Sequence, residues 1–111
     1  MKASDRFFVK DVHCHFDGED CRVANLSVGG FFVAHPRPPV LGQVFELDLT
    51  LGARGAFTLL GKVTWINDPR KPKAPDLPQG FGVKIARIDF PDKLAILDLL
   101  RRCTPSRGEQ G

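Results

Sequence analysis

Residues 21–34 read Cys21-Arg22-Val23-Ala24-Asn25-Leu26-Ser27-Val28-Gly29-Gly30-Phe31-Phe32-Val33-Ala34. The opening stretch alternates, with Cys21, Val23 and Asn25 on one face and Arg22, Ala24 and Leu26 on the other, the period-2 signature of a strand. Ser27-Val28-Gly29-Gly30 interrupts it, because glycine frees the backbone and serine hydrogen-bonds nearby peptide groups. Phe31-Phe32-Val33-Ala34 then restarts an apolar strand. Two strands joined across a glycine corner set the search for further strands in both directions.

Upstream, Phe7 to Phe16 is rich in Phe and Val and free of proline, which predicts a strand. Asp17-Gly18 predicts a hairpin turn back into Cys21–Leu26. Downstream, His35-Pro36-Arg37-Pro38-Pro39 excludes regular structure, since proline lacks the ladder donor and restricts its predecessor. Leu41-Gly42 turns into a strand with Phe45, Leu47 and Leu49 on one side and Glu46 and Asp48 on the other. Gly52-Ala53-Arg54-Gly55 makes the next hairpin loop.

The strand after that loop places Phe57, Leu59, Gly61, Val63 and Trp65 on one face and Thr58, Lys62 and Thr64 on the other, with Leu60 and Ile66 interrupting the polar side. Asp68 to Gln79 holds four prolines and predicts a mobile loop. Gly80 to Ile85 is the last strand. The period then changes. Pro91 suits a first helical turn, with Asp89 or Phe90 as boundary and Asp92 at the positive pole. Leu94, Ile96, Leu97 and Leu100 give the helix one apolar face, and Thr104-Pro105 ends it. The sum is a mainly β fold: a small six-stranded antiparallel β-barrel with a C-terminal α-helix. One domain is expected over residues 1–103 and a disordered polar tail over 104–111.

Composition narrows the function. A chain of 111 residues suits one domain with its own core. No apolar run is long enough for a membrane helix, and no signal-peptide pattern opens the chain, so a cytoplasmic protein without membrane insertion is expected. Cys14, Cys21 and Cys103 make an odd set with no CxxC pair, which argues for reduced thiols over disulfides or zinc. His13 and His15 share a strand face but lack a third and fourth ligand, so no metal is expected. The net charge of +3 is weak for a DNA- or RNA-binding domain. No Ser/His/Asp set, carboxylate pair or phosphate loop stands out, so the chain does not read as an enzyme.

Asn25-Leu26-Ser27-Val28-Gly29-Gly30 resembles the signature of the PilZ family: Asp or Asn, any residue, Ser, two residues, Gly. Leu41-Gly42, Gly61-Lys62-Val63-Thr64-Trp65 and Gly80-Phe81-Gly82-Val83 follow in the family's order, so the resemblance runs from about Lys2 to Leu100. It implies a receptor for cyclic di-GMP, a second messenger with two phosphates and two guanines, and no cofactor. It also implies signal transduction in bacterial motility or biofilm control through a protein partner.

The candidate ligand contacts are Lys2, Arg6, Asn25, Ser27, Gly30 and Trp65. Family members carry two arginines four positions apart before the first strand. Arg6 fits the second, and Lys2 stands at the first, supplying charge without the planar fork that reads guanine or phosphate. The other alignment takes Arg6 and Lys10, but Lys10 then falls inside a strand. Asn25 offers a donor and an acceptor, Ser27 a hydroxyl, and Gly29 and Gly30 a close backbone approach. An N-terminal arm ordered by ligand would carry the signal. Trp65 alternates with the core side chains, so packing competes with stacking on guanine for its role. Two other functions fit less of the sequence: a degenerate PilZ adaptor that binds no nucleotide, and a barrel that stacks single-stranded nucleic acid on Phe7, Phe8, Phe31 and Phe32.

Overall fold

Asp17 and Gly18 both take positive φ, 52° and 79°, the backbone a two-residue hairpin turn demands. They fold β2 (Val12–Phe16) onto β3 (Glu19–Leu26), with Phe16 opposite Glu19. The computed structural model describes residues 6–37 and 39–103. Its remaining elements are β1 (Phe7–Phe8), β4 (Gly30–Ala34), β5 (Val44–Leu51), a 3-10 turn at Gly52–Arg54, β6 (Ala56–Asn67), β7 (Gly80–Arg87) and α1 (Phe90–Leu100).

The strands run antiparallel in the order β3-β2-β5-β6-β7-β4, and β4 pairs back onto β3, with Leu26 opposite Phe31. The result is a closed six-stranded barrel, as the alternating runs predict, and closure leaves these strands no long open edge. The interior is filled by Val12, Cys14, Val23, Leu26, Phe31, Val33, Leu47, Leu49, Leu59, Val63, Phe81 and Val83, joined by Ala95, Ile96 and Leu100 of the helix. Each large apolar side chain so buried contributes about 1.5–3 kcal/mol. Among the described residues no helix is long and apolar enough to cross a membrane.

Three local departures correct the sequence reading. The first strand is broken: Phe7 and Phe8 pair with Leu26 and Asn25, whereas His13 pairs with Arg22, and Asp11 between them has φ 57°. The leading strand thus carries extra residues that its partner does not match, the mark of a bulge. In the helix, Leu94 is 46% exposed; at about 100° per residue it points almost opposite Ile96. The buried stripe runs instead through Ile96, Leu99, Leu100 and Cys103, spaced for one helix face.

The third departure is the proline-rich loop, which is organised and not loose. Asn67 is buried (2% exposed). Its Nδ2 lies 3.0, 3.2 and 2.9 Å from the carbonyl oxygens of Ala74, Leu77 and Pro78. Its Oδ1 accepts from the N–H groups of Lys73 and Ala74 at 3.1 Å each. One amide saturates its hydrogen-bonding capacity on a segment that lacks ladder partners. On the exposed surface of the loop, hydrogen bonds from Arg70 hold the Asp68 carboxyl below its usual range.

Candidate ligand-binding site

The corner between β3 and β4 is built by Ser27. Its Oγ accepts from the N–H groups of Gly29 and Gly30 at 3.3 and 3.1 Å and donates to the Gly30 carbonyl at 3.1 Å. One donor and two lone pairs are thereby used. The hydroxyl and both glycine N–H groups, which the sequence offered as ligand contacts, therefore shape the turn. The Gly29 carbonyl accepts from Ile85 N–H at 2.8 Å, tying the corner to β7. Gly30 has no room for a side chain, because a Cβ there would stand 2.3 Å from the Val83 carbonyl oxygen. This glycine is required by the close approach of β4 to β7.

Arg6 reaches the corner through register. Phe7 pairs with Leu26, so one step outward along the antiparallel ladder brings Arg6 opposite Ser27. The two line a single opening of about 270 Å³, together with Gly30, Trp65, Thr64 and Lys84. Arg6 and Lys84 are exposed, and among the described residues no carboxylate lines the opening.

Trp65 arrives there through a bulge. Val63 pairs with Val83, but Trp65 pairs with Gly82 and Ile66 with Phe81. The extra residue between Val63 and Trp65 flips the alternation, turning Ile66 into the core and Trp65 onto the outer face. The expectation that Trp65 shares the core face of Val63 is corrected by that bulge. On the outer face the indole lies over Gly82, where a Cβ would fall 1.9 Å from Nε1, and tilts against Phe32 with ring centroids 5.2 Å apart. Phe32 in turn sits above Gly80. The pattern Gly80-Phe81-Gly82-Val83 thus sends Phe81 and Val83 inward and leaves two side-chain-free places outside for aromatic rings.

Asn25 is placed differently. A register shift between Val23 and Asn25 lets both Val23 and Leu26 face the core and turns Asn25 away, opposite Phe8 and Phe32. It is 5% exposed and lies outside the lining of the opening. Its Oδ1 is buried with no hydrogen-bond partner among the described residues, a state that costs about 1–3 kcal/mol. Lys2 and the ordering of the arm before Arg6 lie outside the described residues.

The structure therefore brings together Arg6, Ser27, Gly30 and Trp65 of the expected set, keeps Asn25 beneath the surface, and adds Thr64 and Lys84. Lys84 was missed because nothing in the sequence says that β7 pairs with β4. The family model for the PilZ domain matches residues 6–102.

The chain belongs to the PilZ domain family.

Solved structures share the PilZ fold at low identity. An uncharacterized Legionella protein is 16% identical with a TM-score of 0.62, covering 86% of this chain and 92% of that one. YcgR from Escherichia coli, in complex with c-di-GMP, is 13% identical with a TM-score of 0.63, covering 86% of this chain and 42% of that one. The PilZ domain of YcgR with c-di-GMP is 17% identical with a TM-score of 0.58, covering 86% of this chain and 88% of that one. Comparison with curated proteins gives no match.

Two larger depressions lie elsewhere on this PilZ domain. One, of about 470 Å³, is lined by Phe16, Asp17, Arg37, Val40, Phe45 and Glu46, and the other, of about 530 Å³, by Lys10, Arg54, Leu99 and Arg102. Neither touches the motif corner. Near the first, Glu19, Cys21 and His35 bring ligand-type atoms within 4.8 Å of one another, a grouping the sequence did not suggest. Its chemistry opposes a metal. Arg37 N–H donates to His35 Nδ1 at 2.9 Å, which fixes the ring proton on Nε2, the atom a cation would need. That Nε2 lies 3.3 Å from the Glu19 carboxylate, attracted but out of line for a hydrogen bond, and Arg37 binds the same carboxylate at 2.8 Å. Glu19, His35 and Arg37 form a polar latch on the loop after β4. His13 points at Asp20, 3.4 Å away.

Proposed function

We propose that this PilZ domain is a receptor for cyclic di-GMP, binding it at the opening between Arg6 and the β3–β4 corner. The observation that carries the reading is the convergence of Arg6, that corner and the indole of Trp65 on one opening, which no carboxylate among the described residues lines. The chemistry suits the ligand. Arg6 supplies a fork for a guanine edge or a phosphate, and the outward face of Trp65 supplies a stacking surface. The two YcgR structures, whose fold this chain shares, hold c-di-GMP.

In this reading the domain is a binding module, not an enzyme, and needs no cofactor. It acts in the cytoplasm on a protein partner, without nucleic acid, and its working unit spans residues 1–103. Lys2 and Arg6 close over the ligand, and ordering of that arm presents the new surface. Calorimetric titration of the folded protein with cyclic di-GMP tests it. Saturable heat is expected, and silence at high micromolar protein refutes it.

A second reading is favoured by the saturated Ser27 hydroxyl and by lysine at position 2: an adaptor that keeps the corner for folding and binds no nucleotide. Lys2→Arg separates the two. A receptor gains affinity, whereas an adaptor stays silent.

A further inference from the structure

The register of β7 gathers positive charge beside the opening. Lys84 pairs with Gly30 across the β4–β7 ladder and with Lys62 across the β6–β7 ladder. Both lysines are exposed. Two like charges directly opposite on one sheet face repel and weaken the pairing. Such a pair persists at no gain to the fold. Among the described residues neither lysine forms an ion pair, and neither does Arg6. Lys84, like Arg6, lines the opening, and among the described residues no acidic side chain lines it with them.

Position along β7 gives the charge a task. Gly82, which carries the Trp65 indole, and Lys84 are two residues apart on the same outer face, about 7 Å along the strand. That is the scale separating a nucleobase from its own phosphate. An ammonium is a point charge that holds phosphate without reading a base edge.

We infer that Lys84 is a phosphate-holding residue of this site, fixed on the sheet, with Lys62 raising the local potential beside it. The inference rests on the dinucleotide reading above. A base stacked on Trp65 leaves its phosphate at the Lys84 ammonium, while Arg6 approaches from the other side of the opening. The sheet thus supplies a cation that does not depend on ordering of the arm.

The test is calorimetric titration of the whole chain with cyclic di-GMP, comparing wild type, Lys84→Gln, Lys84→Arg, Lys62→Gln and, as control, Lys93→Gln on the helix. Lys84→Gln is expected to lose about tenfold in affinity, the scale of one charge-assisted hydrogen bond. Lys84→Arg should retain it, Lys62→Gln should lose about two- to threefold by reduced potential, and Lys93→Gln should be unchanged. The gap between wild type and Lys84→Gln should narrow as salt rises. A thermal melt without ligand should show Lys84→Gln no less stable than wild type, which separates lost contact from lost fold. Full affinity in Lys84→Gln overturns the inference and leaves the receptor reading standing. No binding by wild type overturns both.

Discussion

Replacing Gly82 with alanine gives opposite outcomes according to where Trp65 lies. An alanine in a strand ordinarily gains about 0.5 kcal/mol over glycine by removing unfolded-state freedom. With the indole seated on Gly82, the new Cβ would stand 1.9 Å from Nε1 and 2.3 Å from Cδ1, so the ring must retreat about 1.5 Å to reach ordinary contact at 3.4 Å. Retreat also breaks its packing on Phe32, at 5.2 Å between centroids, worth about 0.5–1.5 kcal/mol beyond area. With the lost burial included, the net is a loss of about 1–2 kcal/mol. The chain holds one tryptophan and no tyrosine, so intrinsic fluorescence reports this ring alone. Urea unfolding followed by circular dichroism measures the stability, and the emission maximum measures exposure. Gly82→Ala should unfold earlier and emit further to the red. A more stable variant with unchanged emission would refute the outward placement of Trp65 and, with it, the aromatic wall of the opening.

Other expectations follow from the same geometry. Gly30→Ala drives a Cβ into the Val83 carbonyl and should cost about 2–3 kcal/mol with or without ligand, whereas Gly29→Ala, whose Cβ meets nothing within 4 Å, should change stability by less than about 0.5 kcal/mol; equal losses in urea unfolding would contradict the β4–β7 contact. Asn67→Ala strips the partners from the Asp68–Gln79 loop and should cost about 2–4 kcal/mol, with faster cleavage of that loop under limited proteolysis; wild-type cleavage rates would show that the loop holds itself. Burial pushes the Cys14 thiol from 9.0 up to about 12. The folded protein therefore keeps a proton that the unfolded chain loses, so this contribution to stability is intact below pH 9.0 and falls as pH rises towards about 12. Cys14→Ala should flatten that alkaline decline, and an identical slope would show that other groups carry it.

The barrel was legible because its strands obey period 2 and its turns carry their own chemistry, as Asp17-Gly18 and Gly30 illustrate. The site was legible only in part, and the losses trace to register. Alternation counted along β6 put Trp65 inside, since an extra residue between Val63 and Trp65 leaves no mark in composition. Likewise Asn25 was counted on the face of Val23, and the shift between them turned it away from the core. Lys84 was invisible because its significance depends on Gly30 and Lys62 lying across two ladders, a fact of topology. The Asp68–Gln79 loop looked loose because its proline content is local, whereas its order comes from Asn67, whose side chain reaches across six to eleven positions.

Amide and indole NMR spectra recorded during titration with cyclic di-GMP interrogate the opening itself. The largest and saturable shifts should fall on Gly29, Gly30, Lys84 and the Trp65 indole N–H, with the Phe16–Val40 depression silent. Shifts centred on that depression, or none at all from a folded sample at high ligand, would contradict the assignment of the β3–β4 corner as the place where this PilZ domain takes its ligand.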